Sequence, residues 1–284
     1  MTNEELIRNV DLSKPNFRAR SSEVYDVGDN KVIKLYFEDA DDCNVNREYL
    51  NTTVAFQKDC TAMECFGKVR IDGRNGLMLR KMNGRSLTSM PEQDPLILFR
   101  AGKILARLHS KVHEQCSHEL VDVRVAALEA LENSAAASFL SDADRKKLED
   151  YIKLLPESDN IIHLDFHTDN ILCDRENYYV IDWMTANRGN PLVEVSMMNF
   201  LLHDAELFPG SSKVKIFLMQ LVRIGIYNSY IKNYEKITGR KREDSRQWDV
   251  IAYILRLCIW KIESEREDLQ LKIQKIVNEI PSEL

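Results

Sequence analysis

The apolar period of this chain changes once, near residue 84, and that change constrains the fold more than any other feature. From residue 17 to about 82 the chain reads as β-type runs around one inserted helix. Residues 23–27 and 31–37 are joined by Gly28-Asp29-Asn30, a tight connection that predicts a hairpin. The stretch NVNREYLNTTVAFQKD reads as the helix, and KVRIDGRNGLMLRKM as a second hairpin with Asp72-Gly73-Arg74-Asn75-Gly76 as its loop. Beyond residue 84, Ile97, Ala101, Ile104, Leu105 and Leu108 lie on one helical face, with Pro95 suited to the start. Residues 117–156 read as charged helices, and everything beyond Pro191 as helices. The expectation is an α+β, two-lobed chain, with a β-rich lobe over residues 1–82 and a larger helical lobe over residues 83–284.

One segment of the helical half breaks its pattern. In IIHLDFHTDNIL, residues 161–172, His163, Asp165 and Asn170 are spaced H-x-D-x-x-x-x-N directly ahead of a strand-like run. The next apolar run, YYVID, closes on Asp182. Two acids and an amide beside short strands suit chemistry on a phosphate ester. Asp165 is placed to accept a proton from a hydroxyl, while Asn170 and Asp182 offer the hard oxygen ligands that Mg²⁺ prefers. Taken singly, Asp165 is a turn-capping acid, Asn170 a loop residue and Asp182 a strand-end acid. Their joint spacing argues for the chemistry instead. A zinc reading of His163, Asp165 and His167 lacks a nearby cysteine or third histidine. His163 is therefore expected to brace the loop through hydrogen bonds.

Lys34 sits between Ile33 and Leu35 in the run KVIKLYF. It either faces solvent by alternation or reaches phosphates, and Glu48 on the first predicted helix is its natural partner in the second case. Arg20-Ser21-Ser22 occupies the turn before the first hairpin, where serine hydroxyls and backbone N–H groups can cover phosphates. No G-x-x-x-x-G-K-[ST] loop accompanies it.

Composition narrows the classes. The net charge of −6 gives a nucleic-acid role no electrostatic support. No apolar run approaches the roughly 18 to 20 residues of a membrane span. The six cysteines form no C-x-x-C pair. With an N-terminus that lacks an apolar signal region, these features lead to an expectation of a soluble, cytoplasmic chain with reduced thiols.

With these residues in view, the chain resembles a known family. HLDFHTDNIL followed by YYVIDWMTANRGNPLVEVS is similar to the paired signatures of aminoglycoside phosphotransferases and choline-kinase-type enzymes, and RSSEVYDVGDNKVIKLYF and GLMLRKMNGRSL are similar to their nucleotide-loop, lysine-strand and hinge segments. The resemblance spans roughly residues 17–205. It implies a protein-kinase-like bilobal fold, with ATP or GTP as phosphate donor and Mg²⁺ on the phosphates. Asp165 would be the catalytic aspartate, and Asn170 and Asp182 the metal ligands. Lys34, fixed by Glu48, would contact phosphates. Ser21 and Ser22 would cover the nucleotide, and Arg80, Lys81 and Met82 would form the hinge beside the base. Leu164 stands where the family has glycine, and Asn190 and Glu194 where aspartates are common. At Leu164 a change in the loop backbone is expected, because glycine alone adopts positive φ freely.

The implied acceptor is a hydroxyl of a small molecule. Aminoglycosides, choline or ethanolamine, thiamine, amino alcohols and sugars all stay open, and the acidic balance favours a cationic amine. Two other readings compete with this one. A protein serine/threonine kinase is disfavoured because I-D-W stands in place of D-F-G and no A-P-E follows. A nucleotide-binding pseudoenzyme acting as a regulator would need none of Lys34, Glu48, Asp165, Asn170 and Asp182 for chemistry.

Overall fold

The computed structural model describes all residues except Met1, Asn9, Arg20, Asp39, Glu176, 206–211, 282–284 and the side chain of Lys213. Arg20 of the serine turn thus lies outside the described residues. In chain order the elements are α1 (Asn3–Arg8), β1 (Phe17–Arg18), β2 (Ser22–Gly28), β3 (Lys31–Tyr36), α2 (Asp42–Gln57), β4 (Cys65–Ile71), β5 (Arg74–Arg80) and β6 (Arg85–Ser86). There follow α3 (Ile97–His113), α4 (Val123–Asn133), α5 (Asp142–Leu154), β7 (Ile161–Ile162), β8 (Ile171–Asp174), β9 (Asn177–Val180) and β10 (Asn187–Arg188). The chain closes with α6 (Pro191–His203), α7 (Lys213–Thr238), α8 (Asp249–Leu255) and α9 (Glu263–Glu279). Among the described residues no helix is long and apolar enough to cross a membrane.

Two compact units emerge, one of residues 1–90 with 168–186, the other of 91–167 with 187–284. The first is built on a five-stranded sheet of order β1-β2-β3-β5-β4, antiparallel throughout. The β2–β3 turn holds Asp29 and Asn30 at φ +50° and +56°, the conformation of a two-residue hairpin turn. The second hairpin is tighter than its sequence suggests. Only Asp72 and Gly73 form the turn, at φ +49° and +80°, while Arg74, Asn75 and Gly76 already belong to β5. An Asp-Gly pair suffices for a reversal of this type. Arg74 instead ties the sheet together, donating to Glu23 and to the carbonyls of Leu35 and Tyr36.

Side chains alternate across a strand, so Ile33 and Leu35 of β3 point into one core with Leu6, Tyr25, Ile71 and Met78. Lys34 is thereby turned to the other face. A second sheet, β6-β8-β9, completes this unit. Its register sets Ile171 opposite Val180, and the N–H of Ile181 donates to the carbonyl of Asn170 at 3.0 Å. Asn170 and the segment leading into Asp182 are neighbours for this reason.

The second unit is helical around a buried strand pair, β7 with β10. α6 carries apolar residues on all sides, the pattern of a helix enclosed by others. Asn190 caps it, accepting the N–H of Leu192 at 3.0 Å, with Pro191 in the first helical position. Glu194 is therefore a fully buried carboxylate within an apolar helix, and its partners matter for the site described next.

Candidate active site

In the first unit, β3 and α2 bring Lys34 and Glu48 together although they are fourteen residues apart. Lys34 Nζ lies 2.8 and 2.9 Å from the two Glu48 carboxylate oxygens and 3.0 Å from Asp182 Oδ1. Tyr36 donates its hydroxyl to Glu48 as well. The Lys34 and Glu48 side chains are 11% and 1% exposed, whereas Asp182 is 42% exposed. Burial works against the Lys34 ammonium, but Asp182 and Glu48 outweigh it and hold its pKa above the ordinary lysine range. Burial and the same Glu48 carboxylate keep the Tyr36 phenol protonated. The result is one permanent cation held between a sequestered acid and an accessible one.

Asp182 follows β9 in a left-handed conformation, φ +64°. A single helical turn, Trp183–Thr185, comes next, with Trp183 fully buried. Asn51, one turn beyond Glu48 on α2, donates from its amide nitrogen toward the carbonyls of Trp183, Met184 and Ala186 at 3.0, 3.1 and 2.9 Å. One helix thus positions Lys34 through Glu48 and the segment after Asp182 through Asn51. The three-residue spacing of Glu48 and Asn51 on a predicted helix is the signal that sequence reading passed over. Asn170 ends the turn Thr168–Asn170 and is buried. Asn170 and Asp182 supply a carbonyl and a carboxylate oxygen, a hard donor set that fits Mg²⁺ rather than a soft metal.

The remaining residues read as nucleotide contacts occupy the same unit. Ser21 is exposed and its carbonyl accepts the N–H of Phe37. Ser22 is fully buried in β2 and its hydroxyl has no hydrogen-bond partner among the described residues. Arg80 and Lys81 donate their backbone N–H groups to the carbonyls of Glu64 and Asn30, and their side chains pair with Glu64 and Asp26. Met82 follows them, half-buried.

In the second unit the loop around Asp165 is held from its backbone. Glu194 Oε2 accepts the N–H of His163 at 2.7 Å, and Oε1 that of Leu164 at 2.6 Å. Leu164 takes the left-handed conformation, φ +66°, with its side chain fully buried. Leucine thus adopts the backbone geometry that glycine would adopt freely, at a cost of roughly 1–2 kcal/mol, and the two charge-assisted bonds to Glu194 hold it there. His163 is buried and its Nδ1 accepts the N–H of Asp165 at 3.3 Å. His167 Nε2 lies 3.4 Å from Asp165 Oδ2.

Glu194 also faces His109 and His113 of α3, each with Nε2 at 3.0 Å from Oε2. Among the described residues this trio is the cluster within reach of a shared cation, rather than His163, Asp165 and His167. The H-x-x-x-H spacing of HSKVH was its sequence signal. Burial disfavours the Glu194 carboxylate, yet His109 and His113 reverse this and hold its carboxyl well below the usual range. Burial, with the adjacent His109 ring, pushes the His113 imidazole down to about 3.

That shift has a sign. An unfolded histidine titrates near 6.5, so below that pH the unfolded chain binds a proton that folded His113 refuses, and stability falls with pH. From pH 7.5 to 5.0 His113 alone removes about 2 kcal/mol. Urea denaturation of the native chain and of His113→Asn at both pH values checks this. The native chain loses more stability than the variant over that interval, and equal losses contradict the assignment.

A model of the phosphotransferase enzyme family, APH, matches residues 65–207, just over half of the chain. The chain belongs to this family. No curated protein sequence matches it, but solved structures do. A thermostable mutant of aminoglycoside phosphotransferase APH(4)-Ia, in ternary complex with AMP-PNP and hygromycin B, is similar at 16% identity, with 98% of each chain covered and a TM-score of 0.62. The amicoumacin kinase hAmiN, in complex with AMP-PNP, Ca²⁺ and Ami, is 12% identical over 97% of this chain and 91% of that one, with a TM-score of 0.60. A choline/ethanolamine kinase family protein from Mesorhizobium loti is 12% identical, covering 94% and 87%, with a TM-score of 0.51. The fold is protein-kinase-like, with a β-sheet N-terminal region and a mostly helical remainder.

Proposed function

We propose that this member of the phosphotransferase family transfers the γ-phosphate of ATP or GTP, with Mg²⁺, to a hydroxyl of a small molecule. The observation that carries the reading is the Lys34 ammonium, 2.8 Å from buried Glu48 and 3.0 Å from accessible Asp182. A lysine so held stays charged and aimed, as a phosphate contact requires, and costs little reorganisation when nucleotide arrives.

In this reading Lys34 binds the phosphates and Glu48 fixes its direction. Asn170 and Asp182 hold the magnesium, which supplies charge neutralisation on the phosphates when bound. Ser21 and Ser22 cover the nucleotide through their backbone, and the segment Arg80, Lys81 and Met82 lies beside the base. Asp165 accepts the hydrogen bond of the acceptor hydroxyl, aligns its oxygen and takes its proton as the phosphate transfers. Most of the acceleration comes from position and fixed charge.

The acceptor class follows less directly. Relatives that bind hygromycin B and amicoumacin, together with the net charge of −6, support a cationic amino alcohol or aminoglycoside. Calorimetry with Mg·ATP and Mg·GTP tests the donor half of the reading. Saturable binding that weakens on Lys34→Met supports it, and binding of neither nucleotide contradicts it.

A further inference from the structure

On α7, Tyr230 and Tyr234 stand one helical turn apart, both fully buried. Each hydroxyl lies 2.7 Å from Nδ1 of a histidine on α3, Tyr230 from His109 and Tyr234 from His113. Two successive turns of one helix thus address two successive turns of another. Gly102 permits the approach, since a Cβ there would come within 2.4 Å of the Ile226 carbonyl oxygen and 2.6 Å of the Tyr230 nitrogen.

A neutral imidazole donates from one nitrogen and accepts at the other. A tyrosine hydroxyl donating to Nδ1 leaves the proton on Nε2. On His113 that N–H donates to Glu194 Oε2 at 3.0 Å, the same carboxylate that accepts the N–H groups of His163 and Leu164. His109 acts on the other side of the loop. Its ring stacks on Phe166, with centroids 4.3 Å apart and planes 9° apart. Its Nε2 lies 3.0 Å from Glu194 Oε2, outside hydrogen-bond alignment. The two histidines therefore hold the residues just before and just after Asp165. Hydrocarbon side chains would pack α3 on α7 without the desolvation cost of two phenols, two imidazoles and a carboxylate. What the polar set adds is fixed orientation.

We infer that Tyr230 and Tyr234 are positioning residues for Asp165, orienting His109 and His113 and so setting the backbone of residues 163–166 through Glu194 and Phe166. The inference rests on the reading of Asp165 as the residue that aligns the acceptor hydroxyl. A cation held by His109, His113 and Glu194 is the rival use of these atoms. It is disfavoured because both Glu194 oxygens already accept backbone N–H groups and His113 Nε2 is aligned as a donor.

The test uses the full chain labelled with ¹⁵N-histidine, beside Tyr230→Phe, Tyr234→Phe and the double variant. In the native chain the ring nitrogens of His113 are expected to report a proton on Nε2 and a hydrogen-bonded acceptor at Nδ1. In Tyr234→Phe the acceptor signature of His113 disappears and the amides of His163 and Leu164 exchange faster. The double variant loses about 10- to 100-fold in kcat with the KM for Mg·ATP unchanged. If the double variant does not fold, Tyr234→Phe reports on the same amides and the same kcat. Spectra and exchange need no turnover, so a chain without transferase activity sinks the functional reading separately. An unprotonated Nε2 on His113, stoichiometric zinc removed by a chelator, or folded variants with unchanged amide exchange and kcat would each overturn the inference.

Discussion

Asp165→Asn lowers turnover by about 10²–10⁴-fold, the range for removing a positioned general base, and leaves Mg·ATP affinity almost unchanged. The amide keeps the size of the side chain but cannot take a proton. The loop that carries it is held by backbone bonds from His163 and Leu164 to Glu194. The substitution therefore leaves those anchors in place. Steady-state kinetics and calorimetry on the folded variant measure the two quantities separately. Unchanged turnover removes Asp165 from its assigned role.

Asp182→Asn is the second large effect. It takes the accessible carboxylate from Lys34 and weakens the proposed oxygen-donor pair with Asn170. Lys34 retains Glu48 at 2.8 Å, and the Asp182 side chain is 42% exposed, so folding is little affected. Loss of several kcal/mol of charge stabilisation corresponds to a fall in kcat on the order of 10²–10³-fold, with a higher magnesium concentration needed for half-maximal rate. Magnesium titrations of kcat in both proteins make the comparison. An identical rate and an identical magnesium dependence would contradict the assignment of Asp182.

The contrast between Asp182 and Glu194 shows where sequence reading works and where it stops. The Gly28-Asp29-Asn30 turn and the helix bearing Glu48 are local signals, and each corresponds to an observed element. DGRNG reads as a five-residue loop because its last three residues are polar or small, yet Arg74 belongs to β5, tied there through Glu23 and two carbonyls. Asn51 makes its bonds 132 to 135 residues away, and Tyr230 and Tyr234 meet histidines 121 residues away. No periodicity encodes such contacts, since they depend on which helix faces are brought together. Glu194 was visible only as a departure from a common aspartate. Its function as the anchor of the 163–164 backbone depends on the burial of α6 on all sides and on the two N–H groups that its carboxylate accepts, neither of which is local in sequence. Leu164 is the complementary case, in which a residue that disfavours positive φ adopts it with its N–H held on Glu194.

The most direct measurement is phosphate transfer itself. Purified chain, Mg·ATP or Mg·GTP, and a panel of aminoglycosides, choline, ethanolamine, thiamine, other amino alcohols and sugars are assayed by coupled nucleoside-diphosphate release, with ³¹P spectra to identify a phosphate ester. The expected result is acceptor-dependent release, an ester at a hydroxyl of a cationic small molecule, and its loss in Asp165→Asn. Tight nucleotide binding without transfer to any acceptor would contradict it and point to a regulator, and phosphorylation of peptides alone would contradict it in favour of a protein kinase.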